Sequence, residues 1–373
     1  MILRTWQVEA KKAWKDAKFR GTVEAATGVG KTFFGIDSIK DIKGRVLIVV
    51  HTEVLLKQWE TDLKLAFPNE EIGVYYGKKK TVGRIMVAII NSLAGKQIRD
   101  CELIIADECH HYQSKKNHKF FLHNTFEKIL CLSATAKVTE PYNDYLIKIA
   151  PIIYKYSQKR AIIEKVLCDY DVENIPVAMD FDERQAYHTT EEYINTMLPL
   201  YNYDFTRVMR EIGNDLTAMR LARAVNRRKT IIYGVKSKTT KAVEVIKANI
   251  TSKFIIFDER IINLERLHAE LIKDGINAGI YHSELKHKER EQVLFDFKNN
   301  VTSILLSAKC LDEGLNVPNA NVAMILNGSS QARQFIQRLG RVLRKAKGKE
   351  KAMLYQIYVP NTVDEKWLAK RSL

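Results

Sequence analysis

Residues 24–32 read Glu-Ala-Ala-Thr-Gly-Val-Gly-Lys-Thr, following a β-like Thr22-Val23 and preceding a helical pattern that begins at Phe33-Phe34. A loop of small residues between a strand and a helix turns successive backbone N–H groups onto phosphate oxygens, and the helix N-terminus favours their negative charge. In such a loop Lys31 reaches the β- and γ-phosphates of a nucleotide and the Thr32 hydroxyl holds Mg²⁺. Ala25 stands where the strict pattern has its first Gly, yet Thr27-Gly28-Val29-Gly30-Lys31-Thr32 keeps the part that touches phosphate. An ordinary Gly-rich turn is the alternative, and the strand and helix on either side argue against it.

A second cluster of chemistry follows the apolar run Leu103–Ala106, which ends in Asp107-Glu108-Cys109-His110. Acids at the C-terminal end of a buried strand sit where an α/β sheet binds its ligands. Asp107 suits Mg²⁺, partly through the ion's water shell, and Glu108 suits the orientation and deprotonation of a water attacking the γ-phosphate. Phosphoryl transfer also needs positive charge against that phosphate. Residues 334–344, Gln-Phe-Ile-Gln-Arg-Leu-Gly-Arg-Val-Leu-Arg, place Arg341 and Arg344 on one helix face, either as arginine fingers from across a domain cleft or as a basic surface helix.

These residues need a sheet to hold them. Short apolar runs at Val46–Val50, Ile85–Ile90, Leu103–Ala106 and Ile129–Leu132 predict buried parallel strands, and a second series recurs at 254–257, 276–281, 303–306, 322–326 and 354–359. At ~150 residues per domain, the 373 residues suit two tandem α/β domains, predicted as 1–155 and 156–373. Residues 182–250 break the rhythm and predict a helical, thumb-like insertion. One helix runs from about Asp182 to Leu198, Pro199 ends it, and Asp204–Arg228 forms another. This stretch carries Tyr193, Tyr201, Tyr203 and Phe205, then Arg220, Arg223, Arg227, Arg228 and Lys229. That mixture fits either a grip on nucleic acid or a packed aromatic face with a solvated basic one.

A formal net charge of +16 favours a polyanionic partner, and 46% hydrophobic residues exclude a largely disordered chain. The five cysteines lack any C-x-x-C pairing and predict reduced thiols. A zinc site built from Cys109, His110, His111, His118, His123 and Cys131 matches no familiar tetrahedral spacing. The start turns charged too quickly for a secretory signal and no apolar run approaches a membrane span, so an intracellular, cytoplasmic protein is expected.

In this order the elements resemble the motor core of superfamily 2 helicases of the DExH type, over essentially the whole chain. Residues 3–7, Leu-Arg-Thr-Trp-Gln, resemble the adenine-reading Q-type motif, with Arg4 and Gln7 as cofactor contacts. Residues 25–32 are similar to motif I, with Thr27, Gly28, Gly30, Lys31 and Thr32 on the nucleotide. Val49–Thr52 through Gln58-Trp59 resembles motif Ia, and the resemblance implies phosphate contacts of nucleic acid for Thr52, for Ser92 in Ile89–Leu93, and for Ser307. Asp107–His110 resembles motif II, and Ser133-Ala134-Thr135 motif III, which implies that His110, Ser133 and Thr135 couple hydrolysis to domain closure. Ser307–Pro318 resembles motif V, with Gly314 and Asn316 at the nucleotide, and 337–344 resembles motif VI, which makes Gln337 catalytic beside Arg341 and Arg344.

Within the superfamily, residues 312–318 (Asp-Glu-Gly-Leu-Asn-Val-Pro), residues 337–344 and the helical insertion resemble the XPB-type DNA-repair helicases and the phage UvsW-type branch-migration helicases. The resemblance implies two RecA-like domains, ATP and Mg²⁺ as cofactors, and an ATP-driven motor that moves 3′ to 5′ on DNA and unwinds or branch-migrates forks. RNA as partner, a motor subunit of a restriction or repair complex, and an ATP-gated clamp are the alternatives. Asn316 stands where many relatives carry Asp for a ribose hydroxyl, and no separate substrate-recognition domain is expected ahead of the core.

Overall fold

The computed structural model describes residues 2–93, 95–113, 117–136, 143–308, 320–328 and 351–371. Gly314, Asn316, Gln337, Arg341 and Arg344 lie outside the described residues. The chain forms two compact units, whose principal segments are Met1–Asp169 and Tyr170–Cys310 with Lys351–Leu373.

The first unit carries β1 (Arg20–Ala25), β2 (Arg45–Val50), β3 (Ile72–Tyr76), β4 (Lys79–Lys80), β5 (Ile85–Ile89), β6 (Cys101–Asp107), β7 (Lys128–Ser133) and β8 (Ile152–Tyr156). They make one sheet in the order β4-β3-β5-β2-β6-β7-β1-β8, parallel throughout except for the β3–β4 pair. The four strands expected from apolar runs are there. β2, β6 and β7 are buried along nearly their whole length, as strands covered on both faces must be. The expectations omitted the two-residue β4 and, more consequentially, β3 and β8. The latter two lie near a sheet edge, half-exposed over part of their length, so neither shows a continuous apolar run.

The helices of this unit are α1 (Thr5–Asp16), α2 (Lys31–Ile39), α3 (Glu53–Ala66), α4 (His118–Leu122), α5 (Asn143–Ile149) and α6 (Gln158–Ile163). α1 buries Trp6, Gln7, Ala10 and Trp14. The Trp6 ring stacks 5.0 Å from Tyr156 of β8, and the Trp14 indole N–H donates to the Ile129 carbonyl at 3.0 Å. α1 is thereby docked beside β1 with its first turn over the β1–α2 loop. That placement matters for the site.

The second unit holds β9 (Asp169–Pro176), β10 (Phe254–Asp258), β11 (Ala278–Tyr281), β12 (Ile304–Ala308), β13 (Val322–Ile325) and β14 (Lys351–Tyr358), ordered β11-β12-β10-β13-β14-β9. Its helices are α7 (Phe181–Met197), α8 (Phe205–Glu211), α9 (Leu216–Gly234), α10 (Lys236–Ala248), α11 (Ile261–Lys273), α12 (His287–Lys298) and α13 (Val363–Arg371). α7 starts with a capping box in which Asp180 and Glu183 satisfy each other's backbone N–H groups. The single helix expected over Asp204–Arg228 is two. Gly213 and Asn214 interrupt it, and Asp204 and Asp215 each accept from a backbone N–H two residues on, so each starts its own helix. α7 to α9 share a small core of Ile194, Tyr201, Val208, Ala218 and Leu221. α10, placed in the insertion by sequence, instead packs Ala242 and Ile246 into the main sheet core.

A buried polar knot ties that sheet together at the C-terminal ends of β10 and β13. Lys238 is 2% exposed, and its ammonium donates to Asn327 Oδ1 and Asp364 Oδ2, each at 2.7 Å, and to the Leu326 carbonyl at 3.1 Å. Asn263 and Asn327 both donate to Asp258, whose carboxyl burial pushes up to about 6. An interior charge is tolerable only when paired and hydrogen-bonded in this way.

Candidate active site

The β1–α2 loop leaves the sheet at Ala25 and enters α2 at Lys31. Gly28 and Gly30 adopt φ of 84° and 102°, a region that side chains other than Gly avoid. Ala25 is still part of β1 and needs no such freedom, which explains how Ala replaces the usual first Gly. Lys31 is buried, and its ammonium folds back onto the carbonyls of Ala25 at 3.1 Å and Ala26 at 3.4 Å. Thr27 Oγ1 is buried with no hydrogen-bond partner among the described residues. Thr32 is half-buried in the first turn of α2. Positive-φ glycines, a helix N-terminus, an orphaned hydroxyl and a buried lysine resting on loop carbonyls fit a nucleotide phosphate.

The first turn of α1 braces the loop. Arg4 donates from Nη1 to the Val29 carbonyl at 2.8 Å, and Gln7 donates from Nε2 to the Gly30 carbonyl at 3.0 Å while its Oε1 accepts from the Arg4 N–H at 2.8 Å. A Cβ on Gly30 would lie 3.2 Å from Gln7 Nε2. Arg4 and Gln7, both expected at the cofactor, are thus bonded to the β1–α2 loop, and Gln7 is 2% exposed.

Asp107 ends β6, and burial, reinforced by the neighbouring Glu108, pushes its carboxyl up to about 6. Its Oδ2 accepts from the Trp59 indole N–H at 2.8 Å and its Oδ1 from the Glu108 N–H at 3.0 Å. Glu108 has φ of 47°, a costly conformation for a residue with a side chain and one concentrated at functional sites. It brings Oε1 within 3.9 Å of Lys31 Nζ. On the other side His110 Nδ1 lies 3.5 Å from Glu108 Oε2 and 3.0 Å from Ser133 Oγ. Ser133 Oγ also accepts from the Thr135 N–H at 3.0 Å, and the Ala136 N–H donates to Glu24, just ahead of the loop, at 2.9 Å. Lys31, Glu108, His110, Ser133 and Thr135 thus form one connected series.

The residues expected on nucleic acid are placed differently from one another. Thr52 is half-buried and caps α3, accepting from the Leu55 N–H at 3.3 Å. Ser92 is half-buried in the turn Ile90–Leu93. Ser307 is a correction: it lies inside β12 with 0% exposure, because every residue of that strand is buried, and it presents no hydroxyl to a phosphate at the surface. Of the cysteines and histidines weighed for zinc, Cys109 and Cys131 are buried side by side, and their contact, with burial, raises the Cys109 thiol. Among the described residues no group of three or more His, Cys, Asp or Glu is arranged to hold a metal.

Trp59 is the site residue that its own sequence signal concealed. With Leu55, Leu56 and Leu63 it reads as the apolar stripe of α3, and neither its place at the end of the motif Ia resemblance nor the need of an indole N–H for an acceptor points to Asp107. In the second unit, a groove of about 360 Å³ between α7 and α9 is lined by Thr189, Thr190, Tyr193, Arg220, Arg223 and Arg227. Among the described residues no carboxylate pairs with these three arginines, whereas the adjacent Arg228 bonds Glu191 at 2.7 Å. Tyr201 is a core residue, 3% exposed, with its hydroxyl on Asp215.

Residues 1–138 match the sequence profile of the type III restriction enzyme res subunit, and residues 237–346 that of the helicase conserved C-terminal domain. The chain is 28% identical over 99% of its length to the DNA 3′-5′ translocase XPB2 of Sulfurisphaera tokodaii, spanning 84% of that protein. It is 23% identical over 99% of its length to the DNA 3′-5′ helicase XPB of Kineococcus radiotolerans, of which it spans 62%. The helicase domain of Pyrococcus furiosus Hef superposes with a TM-score of 0.66 at 16% identity, covering 100% of this chain and 98% of that one, and shows the RecA-like fold of both sheets. No described helix is long and apolar enough to cross a membrane. With a phosphate loop, an acid pair and a serine relay on one RecA-like sheet, and helicase profiles matched in both halves, this chain is similar along both halves to the ATP-hydrolysing superfamily 2 helicases.

Proposed function

We propose that this chain is an ATP-driven DNA motor that moves 3′ to 5′ and unwinds or remodels forked and branched DNA. The observation that carries the reading is the strained Glu108, set between Lys31 at 3.9 Å and the His110–Ser133 pair. Lys31 leaves its loop carbonyls to bind the β- and γ-phosphates, and Glu108 takes the proton of the attacking water. Thr32 and Asp107 would hold Mg²⁺, which neutralises charge on the phosphate oxygens. Gln337, Arg341 and Arg344 are assigned to the charge developing on the γ-phosphate, and Gly314 and Asn316 to the nucleotide. His110 passes a change at Glu108 to Ser133 and Thr135. Thr52 and Ser92 meet phosphates of the DNA, a grip that implies little sequence preference and strong salt dependence.

DNA rather than RNA is favoured by the DNA 3′-5′ activities for which the two XPB relatives are named, and a net charge of +16 suits either nucleic acid. The test is steady-state ATP hydrolysis with no nucleic acid, single-stranded DNA, forked DNA and matched RNA, with Glu108→Gln as the blank. Stimulation by DNA, greatest with the fork, supports the proposal. Stimulation by RNA alone, or by DNA without strand separation or translocation, rejects it in favour of an RNA motor or a clamp.

The α9 arginines that line the groove belong to the same reading. Changing Arg220 and Arg223 together to Glu is expected to weaken fork binding and to flatten the plot of log affinity against log salt by about one unit per arginine. Fluorescence anisotropy across a salt series measures this. An unchanged slope removes these side chains from the DNA.

A further inference from the structure

Among the described residues, Asp107 is held by two N–H donors on opposite carboxylate oxygens: its neighbour's backbone at 3.0 Å and the Trp59 indole at 2.8 Å. Two donors on two oxygens fix the plane of a carboxylate. Each oxygen keeps a further lone-pair direction for a cation. The indole cannot move aside. Trp59 is 0% exposed, on the buried stripe of α3, and a Cβ added to Gly35 of α2 would lie 2.7 Å from its Cη2 atom. The ring therefore lies against the backbone of the helix that opens at Lys31, while its N–H reaches the end of β6. Two other indoles are placed differently: Trp14 donates to a backbone carbonyl, and Trp6 Nε1 has no hydrogen-bond partner among the described residues. Trp59 instead is spent on an acid of the site.

We propose that Trp59 is the positioning residue for the metal carboxylate. Its indole N–H orients Asp107 for Mg²⁺, and its ring sets the distance between that carboxylate and the phosphate-loop helix. The proposal rests on the reading of Asp107 as a Mg²⁺ ligand. Outer partners of this kind, when removed, typically lower metal affinity or activity about 10- to 100-fold. A Trp retained only to fill the core would leave metal affinity untouched once its volume was kept.

The test measures binding of a fluorescent ADP across a Mg²⁺ titration and in EDTA, for wild type, Asp107→Asn, Trp59→Phe, and a protein carrying benzothienylalanine at position 59. That analogue keeps the bicyclic shape and replaces N–H with sulfur, so it remains readable if the Phe variant does not fold. The expected result is a half-saturating Mg²⁺ concentration raised about 10-fold or more in the analogue, with ADP affinity in EDTA and melting temperature close to wild type. The kcat at saturating Mg²⁺ should recover most of its wild-type value. A Mg²⁺ midpoint equal to wild type in the analogue overturns the proposal. If Asp107→Asn also leaves the midpoint unchanged, the reading of Asp107 falls first; if only Asp107→Asn moves it, the role of Trp59 alone is lost.

Discussion

Glu108→Gln is expected to lower kcat for ATP hydrolysis by about 10³-fold while ATP affinity stays within a few-fold of wild type. The amide keeps the size and the contacts of the carboxylate but cannot accept a proton, and loss of a positioned general base costs about 10² to 10⁴ in rate. The surroundings argue for a base. The residue pays for a φ of 47° to bring its carboxylate beside Lys31 at 3.9 Å, and a residue with only a structural part in the turn gains nothing from that strain. Single-turnover hydrolysis and equilibrium ATP binding, measured on the same preparation, separate the two effects. Wild-type turnover would remove Glu108 from the chemistry. Weak binding with normal turnover of what is bound would assign it to the ground state.

Lys31→Ala is expected to abolish turnover, with kcat/KM down by at least about 10³-fold, or about 4 kcal/mol of transition-state stabilisation. Unlike Glu108→Gln, it should weaken ATP binding as well, because the lysine charge meets phosphate both before and during transfer. The buried ammonium is satisfied by two loop carbonyls and by the Glu108 carboxylate. Its removal should change melting temperature far less than activity. Calorimetry of ATP binding, with thermal unfolding as control, reads both. Retained tight ATP binding would require another cation to carry the phosphate charge.

The difference between these variants and Trp59 shows how legible the site was. Lys31 and Thr32 follow from a nine-residue stretch, and Asp107 and Glu108 from the end of one apolar strand, because each group carries its meaning in adjacent residues. The insertion was legible as helices, but not its break. Gly213-Asn214-Asp215 lies inside an otherwise amphipathic pattern, and capping by Asp215 decided the matter locally. β3 and β8 were missed for the opposite reason, since strands near an edge do not need a continuous apolar run.

By itself the sequence determined that two sheets of buried parallel strands would form, that the first would present a phosphate loop and an acid pair at its ligand-binding edge, and that the surface would suit a polyanion. Those properties depend on local spacing and on composition. Only the tertiary structure decided that Gln7 braces Gly30 across 23 residues, that Trp59 reaches Asp107 across 48, and that His110 meets Ser133 across 23. It alone set Arg220, Arg223 and Arg227 along one groove, without carboxylate partners among the described residues, and sealed Ser307 inside its strand. A side chain's partner is set by which elements pack against it, and packing is a property of the whole sheet and its helices rather than of any run of neighbouring residues.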